Sequence, residues 1–251
     1  MKLSKIITAT TLLAASSAAS ADFLGIYVGA ERWNYDIDGY ISSGSDRVDL
    51  NQDLGLQDDD DNVYYLAFEH PVPFLPNVKI QQNNLEGSAI GTASQTFNFD
   101  GVTFVEGSEL TSSYDLSHID YTLYYELLDN WVNLDLGLTG KDFDGFTEIN
   151  YTATTGIVGS SVELKGTIPT IYGKAQFDLP FTGLKTGAIV NIGEKSGDKL
   201  SDIKAYIAYE GESGFGVELG YRTFDFEFDD FDSLSSDVKI DGVYAGFTLH
   251  L

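Results

Sequence analysis

The sequence has 251 residues, with 39 acidic and 14 basic side chains and a formal net charge of −25 at pH 7. This acidic balance excludes nucleic acid as a partner and disfavours docking on an anionic membrane surface, because both need clustered Lys and Arg. The chain has no cysteine, so disulfides are excluded as a source of its stability.

The first 21 residues have the composition of a secretory signal peptide. Lys2 and Lys5 precede an uncharged stretch over residues 6–15, and residues 18–21 are Ala-Ala-Ser-Ala. Exported proteins have this order of a basic region, an apolar region and a small-residue cleavage site. The apolar stretch is too short to cross a bilayer as a helix. We therefore expect residues 1–21 to be a cleaved signal peptide and residues 22–251 to form one domain.

From residue 23 onward, hydrophobicity repeats every second residue and helical periodicity is nearly absent. This pattern, with many aromatic and β-branched residues, favours strands. The clearest case is residues 131–140, where Val132, Leu134, Leu136 and Leu138 alternate with polar or small residues. The pattern predicts ten strands in chain order: 23–35, 62–70, 77–85, 114–127, 131–140, 167–177, 184–192, 202–210, 215–226 and 238–251.

The connections between the predicted strands alternate in length. Those after the odd-numbered strands are longer: 36–61, 86–113, 141–166, 193–201 and 227–237. Those after the even-numbered strands are tight and hold four of the five prolines: 71–76, 128–130, 178–183 and 211–214. Membrane barrels have short periplasmic turns and longer external loops. The alternation therefore favours a membrane barrel over a soluble β-protein.

The two faces of the predicted strands differ in polarity. One face is apolar throughout, whereas the other carries charged residues such as Glu69, Lys79, Asp120, Lys174 and Arg222. Period two by itself does not say which face points outward. The signal peptide, the connection lengths and the aromatics near strand ends all favour an apolar exterior in lipid. We predict an all-β transmembrane antiparallel up-and-down barrel of about ten strands, with eight as the alternative count, in a cell outer membrane.

Two terminal motifs support this prediction. Residues 242–251, Gly-Val-Tyr-Ala-Gly-Phe-Thr-Leu-His-Leu, resemble the C-terminal strand signature of Gram-negative outer-membrane barrels, although the usual terminal Phe is Leu251 here. Gly25-Ile-Tyr-Val-Gly29 resembles the first strand of small barrels of this class. The whole is similar to a small, functionally undefined outer-membrane barrel family of marine-type proteobacteria. The resemblance implies contact with outer-membrane lipid and lipopolysaccharide and recognition by the barrel-assembly machinery, and it names no substrate.

One residue pair invites an enzymatic interpretation. Outer-membrane proteases and lipid A deacylases use a His beside a carboxylate or Ser, and His118 and Asp120 share the inward face near the outer end of a strand, with Ser113 and Ser117 close by. An ordinary polar lumen is the simpler interpretation. The other histidines, His70 and His250, lie at the periplasmic end. We expect no enzyme and assign no catalytic, cofactor-binding or metal-binding residue.

Two acidic clusters lie in the predicted external loops. The first is the run Asp58–Asp61, and the second comprises Asp225, Glu227, Asp229, Asp230 and Asp232. Carboxylates suit Ca²⁺ or Mg²⁺, but the spacing of a defined calcium loop is absent and a solvated surface is the alternative. Divalent cations are therefore candidate partners of these loops, and no cofactor is expected.

The strand number limits the lumen. About ten strands enclose a narrow space, which charged side chains can line or plug, whereas wide general porins use 16–18 strands. We expect a narrow channel for small, cationic or amphipathic solutes. The alternatives are a non-conducting structural or adhesion barrel and, third, an outer-membrane hydrolase.

Overall fold

The computed structural model describes residues 24–154, 156–195, 197–231 and 234–251, and for residues 230 and 231 it describes the backbone alone. The predicted signal peptide, residues 1–21, and Asp232 of the second acidic cluster lie outside the described residues. None of the described residues forms a helix long and apolar enough to cross a membrane.

Strands account for most of the described chain. They are β1 (Gly25–Ser42), β2 (Val48–Asp49), β3 (Asp59–Glu69), β4 (Asn77–Asn83), β5 (Glu86–Thr92), β6 (Phe97–Phe99), β7 (Val102–Phe104), β8 (Glu109–Asp115), β9 (His118–Leu128), β10 (Val132–Ala153), β11 (Gly156–Asp178), β12 (Leu184–Lys195), β13 (Asp198–Glu210), β14 (Phe215–Phe231) and β15 (Leu234–His250).

Ten of these strands form a closed antiparallel barrel. The wall runs β1-β3-β4-β9-β10-β11-β12-β13-β14-β15, and β15 pairs back with β1 from Tyr27↔His250 to Ser42↔Ser235. Each predicted strand coincides with a strand of this wall, so the predicted fold and the count of ten are confirmed and the eight-stranded alternative is wrong. Closure gives every wall strand two hydrogen-bonded neighbours, which removes the free edges of an open sheet.

The short turns are confirmed, and together with the two described chain ends they define what we call the turn end of the barrel. They cover residues 70–76, 129–131, 179–183 and 211–214. Gly214 shows why one of them needs glycine: its φ is +76°, and a Cβ there would lie 2.2 Å from the carbonyl oxygen of His250. The backbone hydrogen bond from Leu251 to Ile26, 2.9 Å long, joins the chain ends at this rim.

The predicted long connections are largely wrong, because most of them are strand. Residues 141–166 were expected to be a loop, but β10 and β11 continue as a paired hairpin up to Ala153↔Gly156. Residues 193–201 and 227–237 likewise contain the outer parts of β12 to β15. Within 86–113, β5 and β8 pair with each other and continue the β4/β9 hairpin outward, and β6 and β7 form a small separate hairpin. We call the end built from these extensions the outer end.

The polarity of the two wall faces reverses partway along the strands, which explains why the extensions were missed. In β14, Val217 and Leu219 are exposed on the outside of the wall near the turn end, whereas Glu227 is exposed near the outer end. On the inward face the order is opposite, with buried Arg222 followed by buried Phe226. The period-two alternation continues along the strand without a break. The apolar side chains face lipid near the turn end and face the barrel interior near the outer end, as in a water-soluble β-barrel.

Candidate functional site

An apolar belt surrounds the turn-end half of the barrel. Outward side chains of the wall strands are exposed there, among them Ile26, Val28, Leu66, Ile80, Leu123, Leu136, Leu138, Ile171, Ile192, Ile207, Leu219, Val243 and Phe247. Aromatic rings border the belt at the turn end, where Trp131 packs edge-on against Phe177 with centroids 5.3 Å apart. An apolar band flanked by aromatics is the lipid-facing surface of transmembrane barrels.

Inside the wall, the lumen is divided along its axis into three zones. A cavity opens at the turn end, and we call it the cup. Above it lies what we call the charged layer: Glu31, His118, Asp120, Lys141, Asp202, Lys204 and Arg222. The outer half is filled by what we call the apolar core: Trp33, Ile37, Leu54, Phe97, Phe99, Phe104, Phe143, Ile149, Leu164, Ile168, Leu200, Phe224, Phe226, Phe228, Val238 and Ile240.

The charged layer is held by ion pairs that cross the lumen. Nζ of Lys141 on β10 lies 2.8 Å from Oδ2 of Asp120 on β9 and 2.8 Å from Oδ2 of Asp202 on β13. Arg222 on β14 donates to both carboxylate oxygens of Asp202, at 2.8 and 2.9 Å. The contact from β10 to β13 skips the two strands between them, so these ion pairs connect strands that are not neighbours in the barrel wall.

These charges are removed from water. Lys141 is 0 %, Arg222 1 % and Asp202 3 % exposed. A second cross-lumen pair joins Lys204 on β13 to Glu31 on β1. Buried charges are stable only when they are paired, and each of these charged groups has an oppositely charged partner, although Oδ1 of Asp120 and Nη1 of Arg222 make no hydrogen bond. The apolar core covers the layer on its outer side, and a cavity of about 20 Å³ remains among Asp120, Asp202 and Lys204.

Aromatic rings cap the charged layer on its outer side. The guanidinium carbon of Arg222 lies 4.5 Å from the ring centroid of Trp33, and Nζ of Lys141 lies 5.5 Å from that of Phe224. Cation–π contacts of this kind gain strength when they are desolvated. The capping rings belong to the apolar core, so the two zones form one continuous plug.

The predicted pair His118 and Asp120 is brought together, but inside this plug. Nε2 of His118 lies 3.7 Å from Oδ1 of Asp120, and the ring is packed between Phe143 and Phe224 with centroids 4.6 and 5.3 Å away. His118 is 3 % exposed, so a substrate at the surface does not meet its imidazole. Among the described residues no serine hydroxyl bonds to this ring: Ser117 instead accepts from the backbone of Leu85.

The cup is a cavity of about 310 Å³. Its charged lining residues are Glu31, Glu69, Lys79, Glu126, Asp129, Asp135, Lys174, Asp178, Lys185, Glu210 and Glu218. Its aromatic lining residues are Tyr27, Tyr65, Tyr124, Tyr172, Tyr206, Tyr209 and His250. Two of the three lysines have carboxylate partners, since Lys174 lies 3.4 Å from Asp135 and Lys185 lies 2.8 Å from Glu210. The carboxylates outnumber them, which leaves the cup strongly acidic.

The first acidic cluster lies above the apolar belt, at the start of β3. Asp60 pairs with Arg32, and Asp61 accepts from the Tyr35 hydroxyl at 2.9 Å and from the backbone of Glu86 at 3.0 Å. Partial burial raises the pKa of Asp61, and burial raises the pKa of Tyr114, whose hydroxyl contacts that of Tyr35, to about 12. Asp60 and Asp61 therefore have separate partners, and the carboxylates of this run do not form a group that could hold a metal ion.

Three described residues of the second acidic cluster, Asp225, Glu227 and Asp229, lie on the outward face of β14. Glu227 pairs with Lys199 at 2.9 Å, and Asp225 accepts weakly from Ser201 at 3.5 Å. Across all described residues, no group of three or more His, Asp or Glu side chains is placed to hold a metal ion. Cation binding by the external loops stays a prediction.

No family model matches the chain, and no curated protein does. Among solved structures, the outer membrane protease OmpT from Escherichia coli aligns over 94 % of this chain and 100 % of its own, at 8 % identity and a TM-score of 0.57. This chain has the fold of an outer-membrane β-barrel. A weaker alignment is to the transport unit of the autotransporter AIDA-I from Escherichia coli, which covers 96 % of this chain and 97 % of the other at 10 % identity and a TM-score of 0.42. Another is to the attachment invasion locus protein Ail of Yersinia pestis, which covers 90 % of this chain and 98 % of the other at 8 % identity and a TM-score of 0.31. These comparisons support the expected class, an outer-membrane β-barrel, and do not support membership of a narrower family.

Sequence reasoning missed the cup as a site. It singled out His118, which is sealed, and treated the inward tyrosines as ordinary strand residues. Tyr65, Tyr124, Tyr172 and Tyr206 occupy the polar phase of four different predicted strands. Large aromatic rings at lumen-facing positions were the signal that could have located the cavity.

Proposed function

We propose that this protein is an outer-membrane barrel with a closed lumen, which anchors an extended β-structure at the cell surface. The observation that carries the proposal is the continuous plug formed by the charged layer and the apolar core. An ion crossing the lumen would have to displace Lys141 from two carboxylates and then pass a zone packed with buried aromatic rings. Desolvation of an ion in such a zone is costly.

The architecture supports a definite orientation. Transmembrane barrels place their short turns in the periplasm, so the turn end and the cup face the periplasm and the outer end faces the exterior. The outward face of the extensions is polar, with exposed Asp36, Asp38 and Glu227. We propose that the belt contacts outer-membrane lipid and lipopolysaccharide, that the barrel-assembly machinery recognises β15, and that the signal peptide directs export. A structural or adhesion role of the outer extensions follows from this placement.

The narrow channel for small cationic or amphipathic solutes is the second candidate. The acidic cup favours it, because an acidic entrance raises the local concentration of cations. It requires the plug to open, since the described side chains fill the lumen above the cup. Single-channel measurement therefore separates the two candidates.

The test is conductance of the purified, refolded mature chain in planar bilayers, in several salts, with and without Ca²⁺. We expect no discrete openings, while a general porin inserted into the same bilayer gives open channels. The variant Lys141→Ala/Arg222→Ala should also stay closed, because the apolar core seals the lumen independently of the charged layer. Discrete cation-selective openings of the unmodified protein would overturn the closed-barrel proposal and support the channel.

A further inference from the structure

We propose that the cup binds a linear aliphatic polyamine that enters from the periplasm. The cavity measures about 310 Å³, within the lower part of the range typical of small-ligand sites. It is open at the turn end and closed at its floor by the charged layer. A ligand therefore enters and leaves by the same end, and binding does not depend on whether the plug ever opens.

The charge of the cup selects for a cation. Eight carboxylates and three lysines line it. Four of the carboxylates have no lysine or arginine partner within the described chain, and each is held only by neutral donors. Tyr124 donates to Glu69 at 2.7 Å, Asn77 to Glu126 at 2.9 Å, and Tyr244 to Glu218 at 2.5 Å. Asn133 and Gln176 both donate to Asp178. Carboxylates gathered around one cavity repel one another, and a bound cation relieves that repulsion.

The spacing of these carboxylates favours an extended polycation over a metal ion. Within the described chain, no three carboxylate or imidazole groups converge on one point. They are instead distributed over β3, β9, β11 and β14 around the wall. A hard divalent cation needs six or more oxygens at one centre. Ammonium groups separated by methylene chains can reach several dispersed carboxylates at once.

A buried tyrosine whose hydroxyl reaches the cup supplies an independent indication of a ligand. Tyr172 lines the cup and is 3 % exposed as a residue, and its hydroxyl, which reaches the open space of the cup, makes no hydrogen bond to any described residue. Beside it, Oδ2 of Asp135 lies 3.4 Å from Nζ of Lys174 and makes no hydrogen bond within the distance and angle limits of a good one. The Tyr172 hydroxyl can therefore accept a hydrogen bond from a donor in the cup without losing a partner within the described chain. A protonated amine supplies such donors.

The aromatic walls suit both parts of a polyamine. The cup already holds one ammonium group against a ring, since Nζ of Lys79 lies 4.6 Å from the centroid of Tyr65. Tyrosine faces attract alkylammonium groups and also cover methylene carbons. Tyr124 and Tyr172, with centroids 5.6 Å apart, form a second aromatic wall.

The experiment is isothermal titration calorimetry of spermidine into the refolded mature protein in detergent micelles, at low salt. We expect saturable binding near one equivalent, which weakens as ionic strength rises because the attraction is electrostatic. MgCl₂ at the same concentration should give no saturable signal and should not displace spermidine. Binding of Mg²⁺ with equal affinity, or the absence of saturable binding by spermidine, would overturn the proposal.

Three variants locate the site. Glu69→Gln/Glu126→Gln should weaken spermidine binding by about tenfold or more, because two charge-assisted contacts are lost. Asp36→Asn/Asp38→Asn removes the same charge from the outer surface and should leave binding unchanged. Tyr172→Phe removes only the unpartnered hydroxyl and should weaken binding severalfold without changing the thermal unfolding midpoint. Equal weakening by the inner and outer charge variants would show that binding reflects net charge alone and would refute a site in the cup.

Discussion

The charged layer predicts a large effect from one substitution, Asp202→Ala. Asp202 accepts three charge-assisted hydrogen bonds, one from Lys141 at 2.8 Å and two from Arg222 at 2.8 and 2.9 Å. The substitution leaves both cations buried in the plug. Lys141 keeps Asp120 as a partner, whereas among the described residues Arg222 keeps only its contacts with the rings of Trp33 and Phe224.

The expected magnitude follows from the burial of the pair. Removing one partner of a buried ion pair costs about 3–5 kcal/mol, because the remaining charge is left desolvated and uncompensated. Asp202 is 3 % and Arg222 1 % exposed, so solvent screening does not reduce this figure. Asp202→Ala should therefore lower the free energy of unfolding by about 3–5 kcal/mol.

The assay is reversible urea or guanidinium unfolding of the refolded barrel in lipid vesicles, followed by tryptophan fluorescence. Trp33 lies against Arg222 and should report loss of the plug. The matched control is Lys199→Ala, which breaks the exposed pair with Glu227 and should leave the unfolding midpoint unchanged. If Asp202→Ala and Lys199→Ala had the same small effect, the cross-lumen layer would not be the buried structural element described above.

Three further predictions concern other parts of the molecule. Burial raises the pKa of Asp61 in the folded state, so the stability that Asp61 contributes is present below its unfolded pKa and is lost as pH rises through its folded pKa. Asp61→Asn should therefore raise the unfolding midpoint at pH 7 and not at pH 3. An equal gain at both pH values would contradict the raised pKa of Asp61. Deleting residues 247–251 removes the pairing of β15 with Tyr27 and Phe215, and the truncated chain should fail to appear in the outer-membrane fraction. Recovery of the intact chain in the soluble periplasm would overturn its placement in the outer membrane. His118→Ala should change no protease or lipid A deacylase activity, because the imidazole is sealed between Phe143 and Phe224, and loss of a measured activity would restore the hydrolase interpretation.

Local sequence patterns were sufficient for the barrel wall. A strand places successive side chains on opposite faces, so segments such as 131–140 and 215–226 can be recognised as strands from their own sequence, without knowledge of the strands beside them. The short turns were equally readable, because they interrupt the alternation and contain proline or glycine. The outer extensions were not recognised as strands, because their outward face is polar and their apolar residues occupy the opposite phase from those of the lipid-facing wall.

The charged layer shows what depends on barrel closure. Lys141 and Asp202 are 61 residues apart, and Glu31 and Lys204 are 173 residues apart. Glu31, Asp202 and Lys204 lie on the polar face of predicted strands, whereas Lys141 falls in a predicted connection. Partner choice across a lumen depends on strand stagger and barrel diameter, which no local pattern encodes. The same closure placed His118 inside the plug and gathered dispersed tyrosines and carboxylates into one cup.

The sequence by itself thus determined an exported, ten-stranded transmembrane wall as the expectation, and the described residues confirm the wall. Its determinants are period-two alternation and connection length, both of which are local properties of the chain. Tertiary structure decided where the apolar phase turns from lipid to the interior, which charges meet, and that the lumen is filled above an open cup. Those features depend on distances between strands that become neighbours or opposite walls only when β15 pairs with β1.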